Sequence, residues 1–210
     1  MLKILISLLV LNTVIFMTNA QDFKGGLVGG VLGSQIDGDL LGGYNKLGLT
    51  FGGWVARPIS HNLLIHGQLK YMQKGKTKPA DVDAGLSSET TRLHYLQLPV
   101  TVQYVLSTDW FIEGGLGLGY LYDYSFYEGG TKLNEDDYPI REDQLYNGEF
   151  FFIVGAGYNI NDSWAVNLRF TNDILPFGDL TDAVGTNPWI DLGSLYNKTM
   201  ELTLIYSIKL

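Results

Sequence analysis

Residues 200–210 alternate apolar and polar side chains. Met200, Leu202, Leu204, Tyr206, Ile208 and Leu210 fall on one face and Glu201, Thr203, Ser207 and Lys209 on the other, with Ile205 the one apolar residue in the polar set. A two-residue period marks a strand whose two faces meet different surroundings. The same period runs through residues 63–73, 96–104, 110–124, 146–158 and 164–170, and less clearly, where glycine blurs the faces, through 23–35 and 45–56. The pattern predicts eight strands and no covering helix, so the apolar faces need something other than a helical layer to bury them.

The expected connections alternate in length. Those near 57–62, 107–109 and 160–163 are tight and carry Pro58, Asn62, Asp109, Asn161 and Asp162 as turn formers, whereas those near 36–44, 74–91, 125–144 and 175–195 are long and polar. With eight strands every long connection falls at one rim. The expected fold class is therefore all-β: an eight-stranded antiparallel up-and-down transmembrane β-barrel with short periplasmic turns, long extracellular loops and both termini periplasmic. Trp110 and Trp164 follow tight turns and Tyr104 and Tyr158 precede them, as an interfacial aromatic girdle requires; Tyr71, Tyr122, Tyr124, Tyr146 and Tyr196 stand at the opposite strand ends. A soluble lipocalin-type barrel is the competing architecture, with apolar residues pointing inward and no such girdle.

The first twenty residues fit export. Lys3 supplies a basic start, residues 4–17 an apolar stretch and Ala20 a small residue before Gln21, so residues 1–20 are expected to be a signal peptide and 21–210 the barrel domain. Removing Lys3 takes the formal charge from -8 to -9, because residues 1–20 contain no other charge. No run near 18 apolar residues follows, which leaves strands as the only means of crossing a bilayer. With no cysteine in the chain, neither lipid attachment at the cleavage point nor disulfides nor thiolate metal sites are available. The acidic balance argues against nucleic acid. The expected surroundings are outer-membrane lipid.

If lipid takes the apolar phase, the other phase fills a narrow lumen: His66, Gln68, Lys70, Gln97, Gln103, Glu113, Glu149, Asn167, Arg169, Glu201 and Lys209. An eight-stranded barrel has an interior only wide enough for side chains. Lys70 and Arg169 are expected to neutralise some of Glu113, Glu149 and Glu201 in a structural charge network, a polar plug being favoured over a conducting pore. Catalytic candidates are thin. His61 lies in a turn, His66 in the lumen phase and His94 on the lipid-side phase, where Asp123 or Ser125 could adjoin it without any spacing that specifies a triad. The acidic loop positions Asp37, Asp39, the 134–137 run, Glu142, Asp143, Asp179, Asp182 and Asp191 lack the twelve-residue calcium-loop spacing. No catalytic residue, metal site or cofactor is expected.

The run Leu69-Lys70-Tyr71-Met72-Gln73-Lys74-Gly75, followed by Leu93-His94-Tyr95-Leu96-Gln97-Leu98-Pro99-Val100 and then by residues 111–119, resembles the PorT-like outer-membrane β-barrel family of Bacteroidetes, over about 23–210. Leu210 departs from the aromatic usual at the end of such barrels. The resemblance implies a fold and a compartment, and for some members an association with secretion of cargo or gliding motility; it carries no functional residue motif. Three functions follow as expectations: an accessory or structural barrel presenting its loops, possible partners being secretion or motility machinery; a passive or ligand-binding porin; and a barrel enzyme acting on lipid or peptide, the least favoured.

Overall fold

The computed structural model describes residues 23–37, 43–83, 85–138, 144–179 and 193–208; the expected signal peptide, Lys209 and Leu210 lie outside them. Among the described residues ten strands form: β1 (Lys24–Asp37), β2 (Lys46–Pro58), β3 (Leu63–Lys78), β4 (Glu89–Val105), β5 (Trp110–Glu128), β6 (Thr131–Lys132), β7 (Gly148–Asn159), β8 (Trp164–Asp173), β9 (Gly178–Asp179) and β10 (Ser194–Ile208). β6 and β9 are two-residue segments hydrogen-bonded to the upper ends of β5 and β10. The other eight pair with their chain neighbours, and β1 pairs with β10 from Gly25↔Ile208 to Asp37↔Tyr196. All pairings are antiparallel, so the sheet is an up-and-down ring with no open edge, the form that satisfies backbone groups inside hydrocarbon.

Connections 59–62, 106–109 and 160–163 and the outer ends of β1 and β10 share one rim; 38–45, 79–88, 129–147 and 174–193 join at the other, partly outside the described residues. The staves run from 10 to 19 residues. A tilted strand needs about 9–11 to cross a bilayer, so the longer ones stand beyond it as a collar.

Curvature is bought with glycine at close approaches between strands: at Gly30, Gly52 and Gly115 a Cβ would run into the carbonyls of Leu202, Leu69 and Val100 on the adjacent strand. Gly75, at φ 135°, carries β3 onward to Lys78 where a strand ending at residue 73 is expected from the pattern.

The two faces carry opposite chemistry. Leu98, Leu168 and Met200 point outward with 50, 51 and 47 % of their surface exposed, while Arg169 and Glu201 inside retain 1 and 0 %. This is the inverse of a soluble barrel and fits an outer wall solvated by lipid. Outside, Trp110 packs on Tyr158 (5.0 Å) and Trp164 on Tyr206 (4.8 Å) near the short-turn rim.

The lumen is closed at both ends by apolar side chains. At the short-turn end Ile205, the exception in its strand, packs inward with Val28, Trp54 and Ala56. Trp54 also donates to the Tyr206 carbonyl (3.2 Å) and stacks on His66 (5.1 Å). At the long-loop end Ile36, Leu93, Tyr95, Leu121, Phe126 and Leu195 meet Leu145 and Phe177 from the connections. Tyr124 stands at this end, as expected, but faces inward. A register shift at His94/Tyr95 makes Tyr122 the extra residue of a bulge and reverses the faces of β5 beyond it, so Tyr124 packs on Phe126 and Tyr138 instead of joining the outer girdle.

Candidate functional site

Between the two apolar ends lies a layer of buried charge. Arg169, on β8, directs Nε to Glu113 Oε1 (2.5 Å) and Nη2 to Oε2 (3.0 Å), a two-pronged pair, while Nη1 donates to Gln68 Oε1 (2.6 Å). Glu113 also accepts from Asn167 (2.6 Å), Thr101 (2.8 Å) and Gln103 (3.3 Å). Lys70, on β3, reaches Glu201 on β10 with its ammonium at 2.9 and 2.6 Å from the two oxygens. Glu201 is register-paired with Arg169, so it stands between both cations.

A second cluster sits nearer the long-loop rim. Lys74 pairs with Glu149, whose other oxygen accepts from Gln97 (2.6 Å). The Lys74 ammonium also lies over the rings of Tyr95 (5.0 Å) and Phe151 (5.3 Å). Asn197 bridges from its amide side chain to Glu149 and Tyr95 (both 3.2 Å), and its backbone N–H donates to Asp173 (2.8 Å).

All five residues singled out from sequence face this lumen. Arg169 meets Glu113 and Lys70 meets Glu201, but Glu149 meets neither expected cation; its partner is Lys74, a position the sequence pattern leaves in a loop. Asp173 and Asn197 are further members that the pattern does not single out. Glycine is the signal that would have found the pairs. Gly155 lies in register between Glu113 and Arg169, and a Cβ there would press on both side chains. Gly119 lies likewise between Gln97 and Glu149. A bare position on the middle strand lets side chains from the strands either side meet above it.

Of the remaining candidates, Asp123 stands across the ladder from His94, while Ser125 pairs with Arg92. His61 is in an exposed turn, His66 is in the lumen and His94 is outside against Tyr71. Asp37 pairs with Lys198, and the 134–137 run forms a short 3-10 turn. Asp39, Glu142, Asp143, Asp182 and Asp191, and the side chain of Asp179, lie outside the described residues. Among the described residues no three His, Asp or Glu side chains gather as a metal set.

A closed ring with an apolar outer wall and paired charge within defines a membrane-spanning β-barrel. The family model for the outer membrane protein beta-barrel domain matches residues 19–179. The chain belongs to that family and is an integral outer-membrane protein. Among solved structures, Ail, the attachment invasion locus protein of Yersinia pestis, aligns over 90 % of this chain and 100 % of its own with 11 % identity and a TM-score of 0.48. OprG of Pseudomonas aeruginosa aligns over 90 % and 95 % with 13 % identity and a TM-score of 0.38. AlkL, determined in lipid bilayers, aligns over 89 % and 92 % with 16 % identity and a TM-score of 0.34. No curated protein matches the sequence.

Proposed function

We propose that the protein is a closed, non-enzymatic outer-membrane barrel that acts as a structural or accessory component through its long-loop rim, with that rim outside the cell and both termini periplasmic. The observation that carries this reading is the lumen, where Arg169, Lys70 and Lys74 are each spent on a buried carboxylate and both ends are sealed by apolar clusters. A water-filled path would need those contacts broken, and each is costly to break singly. Reconstituted in a planar bilayer, the mature protein should show no steady ion conductance. A stable open channel would defeat this reading and put the porin in its place.

The resemblance to PorT-like barrels supports a place beside secretion or gliding-motility machinery. Its loops then supply the contact surface, as loops on a rigid scaffold commonly do. Affinity isolation of a tagged protein from intact outer membranes should bring down the same set of membrane partners reproducibly. Recovery of the barrel alone would remove the accessory role while leaving the closed lumen intact.

A further inference from the structure

The outer wall carries a patch that is neither lipid-like nor engaged by the lumen. Outward positions on β4 run apolar from Leu96 to Tyr104, then change to His94, Arg92 and Thr90. At about 3.3 Å per residue and a tilt near 45°, Arg92 stands roughly 19 Å above Val100, the centre of that run. The apolar band of such barrels is about 25 Å tall, so Arg92 lies roughly 6 Å beyond its edge, at the level of lipid phosphates.

Its surroundings hold it ready for an anion. The Arg92 guanidinium stacks 4.3 Å from the Tyr127 ring centre and donates to its hydroxyl (3.5 Å). Across the ladder Arg92 faces Gly75, which has no side chain to cover it and whose Cβ would strike the Thr91 carbonyl. Below, the Tyr71 hydroxyl and His94 Nδ1 are 2.7 Å apart. Across the ladders Lys132 pairs with Tyr127 and Asp123 with His94. Lys78 and Lys198, at the same rim, are paired with Glu89 and Asp37. Among the described residues Arg92 has no carboxylate at ion-pair distance, although the chain carries a net charge of -8. Arg92, with Lys132 across the ladder from its stacking partner Tyr127, presents positive charge on the outer wall beside Asp123, a surface complementary to an anion.

We propose that Arg92, Lys132 and His94, framed by Tyr71 and Tyr127, seat the phosphate of a net-anionic membrane phospholipid. Arginine supplies a planar fork matched to phosphate oxygens, Lys132 adds charge, and the rings present apolar edges to the upper acyl chain. The site uses only the outer wall, so it stands whether or not the lumen conducts.

The test is native mass spectrometry of the full mature barrel released from nanodiscs of phosphatidylcholine and phosphatidylglycerol. Wild type should retain phosphatidylglycerol preferentially, and Arg92→Gln should lower that retention about tenfold, the loss of one charge-assisted contact. Lys78→Gln, removing a paired cation at the same rim, should leave it unchanged. Should Arg92→Gln fail to fold, Lys132→Gln, outside the eight staves, should give a smaller loss in the same direction. Equal retention of the two lipids, or an undiminished preference in a folded Arg92→Gln or Lys132→Gln variant, would overturn the proposal. Displacement of phosphatidylglycerol by millimolar inorganic phosphate would overturn the lipid and leave a soluble-anion site.

Discussion

Arg169→Ala is expected to destabilise the barrel by about 3–5 kcal/mol, the range for breaking a buried pair by removing one partner. The reason lies in what is left behind. Glu113 would keep only neutral donors, from Asn167, Thr101 and Gln103, and its carboxylate is buried. Gln68 would lose the donor to its carbonyl as well. Removing Glu113 together with Arg169 should cost much less than the sum of the single changes, because the stranded charge disappears with its partner. The upper cluster supplies a contrast. Lys70, Lys74 and Arg169 are paired with Glu201, Glu149 and Glu113, and Asp173, buried beside them, stands outside those three pairs. Asp173→Asn keeps an acceptor for the Asn197 N–H and breaks none of those ion pairs, so it should be tolerated where Arg169→Ala is not. Urea titrations of the vesicle-inserted protein read all four variants. An Arg169→Ala variant as stable as its parent would sink the account of the lumen as a set of interdependent ion pairs.

The strand periods made the ring and the face of most of its residues legible, because a period of two is printed directly in the sequence. From Leu96 to Tyr104 and from Met200 to Ile208 the rule that apolar means lipid holds at every outward position. It fails near the long-loop rim, where Met72, Leu93, Tyr95 and Leu121 are apolar and face inward. There the loops turn the end of the lumen into an ordinary protein core, and what surrounds a residue no longer follows from its phase. Lys74 was hidden for a related reason. Gly75 reads as a strand breaker, yet at positive φ it continues the ladder and leaves Lys74 in the inward phase. The bulge at Tyr122 is likewise silent in the pattern, since a one-residue insertion looks like uninterrupted alternation with its faces exchanged. Ion-pair partners depend on the stagger between strands, which neither period nor composition fixes. Only the glycines at Gly155 and Gly119 carry a trace of it.

The outer wall should be as sensitive to charge as the inner one is to its loss. Val100 pairs with Leu116 and Leu168 with Leu202, all outward and apolar. Val100 lies at the centre of its apolar run and Leu168 midway along β8. Val100→Arg or Leu168→Arg should therefore cost about 2–4 kcal/mol, because at midplane the guanidinium has no water and no partner. Moving the same change to a strand end, as in Tyr104→Arg, should reduce the cost to about 0–1 kcal/mol as the side chain reaches the interface. One residue inward the rule reverses and becomes one of hydrogen bonds. Thr101 donates to Glu113 (2.8 Å) and Gln97 to Glu149 (2.6 Å). Thr101→Ser keeps its donor and should be nearly silent, whereas Thr101→Val removes a donor from a buried carboxylate and should cost about 1–3 kcal/mol. Refolding titrations into vesicles would separate the two phases. Equal tolerance of arginine at Val100 and Tyr104 would mean that no hydrocarbon layer covers β4, and the assignment of lipid to the apolar face would fall with it.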